Sequence, residues 1–178
     1  KREFEFFVDY EYFTDINVDF EREWPDLQGQ EMVFMIGVGW ESDTGWEFKA
    51  FIADHEHHDS ERNIFEQFIR FLVEQTEGQF SDPSKTAFYH WSSAEVWQSR
   101  RVADRHGFPE THTLRTLPWS DLQKSFLNSP VSIPGAWKYG LKDIAKALTA
   151  LHSEYDPGWP GDLDKGLSAM VMGWKAYE

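Results

Sequence analysis

Phe6-Phe7-Val8-Asp9-Tyr10-Glu11-Tyr12-Phe13 is an apolar run interrupted by two carboxylates. Strand residues alternate faces, so Asp9 and Glu11 point one way with Phe7, while Phe6, Val8 and Tyr10 point the other. Two acids side by side on one face of an apolar strand repel each other and resist desolvation. A shared divalent cation makes such an arrangement favourable, since hard cations prefer oxygen ligands. Asp-x-Glu is therefore a candidate metal site for phosphoryl chemistry. A strand end emerging into water, with both acids solvated, gives the same pattern, and the two readings stand side by side.

Working outward, residues 3–11 read as the first strand. Residues 14–30, polar and acidic with Pro25 and Gly29, read as an excursion loop. Residues 31–40 and 46–53 are two further strands joined by the turn Ser42-Asp43-Thr44-Gly45, which predicts an antiparallel meander. Asp54-His55-Glu56-His57-His58-Asp59 carries three imidazoles, a donor type that suits Zn, Cu or Ni, but reads as a solvated loop and is given no role. Ser60 is the expected cap of a helix to about Thr76, whose Ile64, Phe65, Phe68, Ile69, Leu72 and Val73 form one apolar stripe. Residues 86–91 form a fourth strand. Ser92 or Ser93 caps a second helix to His106, closed by Gly107. Strand, helix, strand, helix implies parallel pairing of the fourth strand with the first. Residues 113–117 are an expected short strand, and residues 119–127 an expected helix with Asp121 at its start. Residues 139–151 are an expected helix, and a last helix is expected from Leu163. The whole is an α/β fold, a mixed sheet with a three-stranded antiparallel meander plus parallel strands, flanked by helices.

Composition bounds the rest. The 178 residues suffice for one sizeable core, and 40% hydrophobic and 17% aromatic content is globular rather than disordered. No Cys is present, which excludes disulfides and thiolate metal sites and fits an intracellular, cytoplasmic location. No apolar run is long enough for a membrane span. The start at Lys1 rather than Met leaves room for a longer polypeptide. The net charge of −14 runs against nucleic-acid binding by general electrostatics. A polyanion would need metal ions, a local basic patch or a neighbouring domain, and an acidic domain with no such partner stays open as a reading.

A second constellation is Tyr89-His90-Trp91-Ser92-Ser93-Ala94-Glu95, a strand leading through a polar turn into a helix. Glu95 in the first helical turn is favoured by the helix dipole alone. The functional reading brings it opposite Asp9 and Glu11, with His90, Trp91 and Ser93 lining a groove where a ring could stack a base.

These segments together resemble the DEDD-type 3′→5′ exonucleases of the ribonuclease H-like superfamily. More narrowly, they resemble the predicted ribonuclease H-like nuclease domains often found beside RecB-type nuclease or helicase modules. The resemblance rests on Val8-Asp9-Tyr10-Glu11, on Ile36-Gly37-Val38 and on Tyr89-His90-Trp91 with Glu95. It extends to Tyr139-Gly140-Leu141-Lys142-Asp143 and Gly166-Leu167-Ser168-Ala169-Met170. It covers most of the chain, and the order and spacing of these short motifs carry it. The resemblance implies a ribonuclease H-like domain over residues 1–178 that hydrolyses nucleic acid, DNA ahead of RNA, with two Mg²⁺ or Mn²⁺ ions. It implies Asp9, Glu11 and Glu95 as metal-holding catalytic acids, and Tyr12, His90, Trp91 and Ser93 as substrate contacts. The family's third motif, Tyr-x-x-x-Asp after the late helix, has no counterpart before Glu178. Tyr139 and Asp143 have its spacing but sit earlier, so Asp143 as a fourth acid, a domain cut short before its last helix and a lost motif all remain open. With the motif lost, the chain is a catalytically inactive fold serving as a binding or scaffold module beside further domains of the same polypeptide.

Overall fold

In a computed structural model of the chain, residues 1–15, 19–129, 131–155, 172, 173 and 175 are described. Five strands form an open mixed sheet: β1 (Phe4–Phe13), β2 (Met32–Ser42), β3 (Gly45–Ile52), β4 (Thr86–His90) and β5 (Trp119–Asp121). Their spatial order is β3-β2-β1-β4-β5. β1, β2 and β3 make the expected antiparallel meander. β4 lies parallel to β1, with Phe4 opposite Thr86 and Phe7 opposite Tyr89, and β5 lies parallel to β4.

The period-two reading of β1 holds. Phe6, Val8 and Tyr10 are buried, whereas Phe7 and Asp9 are exposed. The buried face packs on α2 (His58–Gln75) and α3 (Ala94–Arg105). From α2 come Ile64, Phe65, Phe68 and Leu72, fully buried, with Phe71 nearly so and Ile69 half-buried, while Val73 of the expected stripe is exposed. Tyr10 meets Phe65 edge-on and donates or accepts a 3.1 Å hydrogen bond with Ser99 of α3. Phe71, absent from the expected stripe, packs on Phe6, Trp40 and Phe51.

Glu61 of α2 is fully buried, where an ionised carboxylate needs partners. It accepts the Val33 N–H (2.8 Å) and pairs with Arg105 and with His106 Nε2 (2.9 Å). One side chain thus ties α2, β2 and the end of α3 together.

Several elements differ from expectation. α2 starts before Ser60, because His57 Nδ1 accepts the Asp59 N–H and serves as the cap. His58 turns inward beside His106, where burial and the Arg105 charge lower its pKa. Residues 54–57 are the expected loop, and the run ends as the start of α2. The 14–30 excursion contains a short helix, α1 (Phe20–Glu23), and a 3-10 turn, Pro25–Leu27, which bury Phe20 and Leu27 against the core. Residues 113–116 are not a strand but a single helical turn, α4 (Thr113–Thr116), capped by His112. The fifth strand comes instead from Trp119–Asp121, and the expected helix there begins only at α5 (Leu122–Asn128). Asp121 is its N-cap, as the sequence suggests. α6 runs Leu141–Leu151 with Gly140 as its cap, so Tyr139 precedes the helix. Of the expected last helix, Met172, Gly173 and Lys175 are described and are helical; its other residues and the Gly166–Met170 motif lie outside the described residues. Among the described residues no helix is long and apolar enough to cross a membrane.

Candidate acidic site

β4 pairs with β1 only as far as Phe7, and then turns away after His90. Among the described residues the β4 side of β1 has no strand partner past Phe7, and the Ser92–Ser93 turn and the first turn of α3 follow from the end of β4. Ser92 holds a left-handed φ of 77°, uncommon for a residue with a side chain, and its N–H donates to Asp121 Oδ1 (3.2 Å). This turn carries Glu95 to the level of Asp9. Such a crevice beyond the carboxyl ends of parallel strands is a frequent ligand position in open α/β sheets.

The three acids act on one another. Burial raises the Asp9 carboxyl to about 6, the Glu95 charge adds to the rise, and Lys142 opposes it. Asp9 and Glu95 stand close enough for the Glu95 carboxylate to disfavour charge on Asp9 beyond what burial alone does. Burial likewise raises Glu11 to about 7, with Asp9 and Glu95 pushing the same way and Lys142 again opposing. Asp9 keeps direct contact with water, so its desolvation comes from a concave surround rather than from full enclosure. That surround and the Glu95 charge shift it in one direction. Among the described residues no three acidic or imidazole side chains stand at metal-ligand spacing. The acids therefore crowd one another without closing a preformed cage.

Glu95 is 4% exposed and His90 5%. His90 Nδ1 faces Glu95 Oε2 at 3.4 Å, and neither atom completes a hydrogen bond. The His90 ring rests edge-on against Trp119. Trp91 is fixed by donating Nε1–H to the Tyr139 carbonyl (3.0 Å), and its ring lies near Phe126. Ser93 is exposed at the head of α3 and makes no side-chain cap. Tyr12 lies toward α3, near Gln98, Glu31 and Arg101. Asp143 folds back over its own helix start, its carboxylate against Gly140. The charges acting on Asp9 and Glu11 do not include it.

A cavity of about 240 Å³ opens beside Asp9 on the face away from α2, and its walls are largely apolar. Phe7, Trp46 and Phe48 form one side, with Tyr89, His90 and Trp91 on the other. Its floor includes Gly37 and Gly39. A Cβ at Gly39 would lie 2.3 Å from the Trp46 ring, and one at Gly37 would lie 3.3 Å from Phe48. These glycines let two large rings lie down on the sheet. A larger hollow of about 410 Å³ lies by Arg101, Arg105 and Glu31, but its charges are already engaged with one another and with Glu61. The convergent, strained charge is at Asp9.

No protein-family profile matches the chain, and no curated protein or solved structure matches it.

Lys142 is the residue that the sequence reading left without a role. It stands in the first turn of α6, and its charge reaches both Asp9 and Glu11. Its only signal in the sequence is its place in the Leu141-Lys142 pair.

Proposed function

We propose that this chain is a ribonuclease H-like, metal-dependent 3′→5′ exonuclease domain acting on nucleic acid, DNA ahead of RNA, with two Mg²⁺ or Mn²⁺ ions. The observation that carries the reading is the mutual crowding of Asp9, Glu11 and Glu95, two of them raised toward neutrality. Repelling, partly desolvated carboxyls are unfavourable by themselves and favourable around a cation. The donor set fits a hard ion, being all carboxylate, and Glu95 Oε2 is a buried oxygen with no hydrogen-bond partner. The meander followed by a helix and a parallel strand supports the ribonuclease H-like reading.

Asp9, Glu11 and Glu95 would hold the ions. When bound, such ions activate a water and stabilise the leaving oxygen of a phosphodiester. The chain's own residues do the rest. Asp9 and Glu11, whose carboxyls burial raises, would release their protons as the site loads. Lys142 offsets part of the negative charge that would repel a phosphate. Trp46 and Phe48 present ring faces on which bases can stack beside the acids.

A second reading, an inactive fold used as a binding or scaffold module, is favoured by one observation. Asp143 turns onto Gly140 and leaves the cluster with three acids among the described residues.

The test is thermal unfolding with and without millimolar Mn²⁺, on wild type and Asp9→Asn, with degradation of a 5′-labelled oligonucleotide alongside. At a hundredfold excess over Kd, Mn²⁺ raises wild-type stability by about 2.7 kcal/mol, or a Tm rise of roughly 5–10 °C. Asp9→Asn removes the rise and the degradation. Equal metal responses in both proteins would sink the metal site, and a response without degradation would favour the inactive module.

A further inference from the structure

The buried pair of His90 and Glu95 has an unusual feature. Two atoms that can each accept a hydrogen bond, His90 Nδ1 and Glu95 Oε2, face each other at 3.4 Å, shielded from water and without another partner. Two bare acceptors at that distance repel, so something positive must lie between them. A proton on Nδ1 suffices, since a small rotation would bring the pair within hydrogen-bond range. A metal ion in the gap would need further ligands, and among the described residues no third one stands at the required spacing.

We infer that His90 is a positioning residue that donates Nδ1–H to Glu95 and fixes which way the Glu95 carboxylate faces Asp9. The inference rests on the reading of Glu95 as a metal-holding acid and adds to it a residue that never touches the ion. Trp119 sets the ring plane from behind, with its ring edge-on to the imidazole at 5.4 Å. The same Trp119 is the β5 residue opposite Phe88, so the fifth strand supports the acid through an imidazole. Outer-shell partners of this kind hold a ligand's orientation, and their loss typically lowers metal affinity by about 10–100-fold.

The experiment has one arm that needs no metal. In metal-free protein at neutral pH, long-range ¹H–¹⁵N correlation spectra report which ring nitrogen of each histidine carries a proton. The His90 signals are those lost in His90→Gln. A protonated Nδ1 is the expected result, and a bare Nδ1 overturns the inference whatever the metal does. The second arm compares two variants by Mn²⁺ titration. Asn places its amide nitrogen where Nδ1 stands, whereas Gln places it nearer to Nε2. His90→Asn is expected to bind Mn²⁺ close to wild type, and His90→Gln about 10–100-fold more weakly. Equal affinity in both variants overturns the positioning role. If wild type binds no Mn²⁺, the nuclease reading fails by itself, and the spectrum alone decides whether His90 holds Glu95.

Discussion

Asp9 and Glu11 tie the stability of this molecule to pH in an unusual direction. Their folded pKa values, about 6 and about 7, lie above the ordinary 3.8 and 4.5. The folded state therefore holds protons that the unfolded chain has released. Stability that these groups contribute is fully present below about pH 4 and is lost as pH rises through 6 to 7. In chelator, urea melts of wild type should weaken across that window more than those of an Asp9→Asn, Glu11→Gln double variant, and parallel curves would disprove the coupling. The pairing of Asp9 with Glu11 was legible because a strand has a period of two. Glu95 was legible as an acid at a helix start. The burial of His90 and the reach of Lys142 were not, since both depend on where β4 ends and α6 begins relative to β1.

At the level of elements, long periodic segments were readable and short ones were not. The α2 stripe declared its buried face, and Phe68, fully buried against Phe51, is its test. Phe68→Ala should cost about 3–5 kcal/mol in a denaturant melt. The 113–121 segment misled because four β-branched or aliphatic residues favour a strand, while a histidine cap and Pro118 decide otherwise. Three residues, Trp119 to Asp121, are too few to show a period, and they pair only because β4 offers an open edge. The glycine floor beneath β3 gives a second test. Gly39→Ala cannot keep the Trp46 ring in place, but Trp46 is 62% exposed and can swing outward. The expected result is a change in tryptophan emission that Trp46→Phe abolishes, with a smaller stability loss than Phe68→Ala.

Across the whole molecule, strand order followed from the sequence because the β2–β3 link is short and the fourth strand needs a covering helix between. What the sequence did not reveal is the polar tie at Glu61. Glu61→Ala leaves Arg105 and His106 without their buried partner and the Val33 N–H without its acceptor. Breaking such a buried pair should cost about 3–5 kcal/mol, measured by urea unfolding, and a loss under about 1 kcal/mol would place Glu61 at the surface. The parallel contact of β1 with β4 also has a kinetic consequence. The meander closes through near neighbours, but Asp9 meets Glu95 only after the chain has passed through β3 and all of α2. Contacts of long sequence separation are rewarded late in folding. The acids would then be far apart when the folding barrier is crossed, and their repulsion would be felt only on the native side of it. In a stopped-flow chevron recorded in chelator, Asp9→Asn should leave the refolding arm superimposed on wild type and slow the unfolding arm.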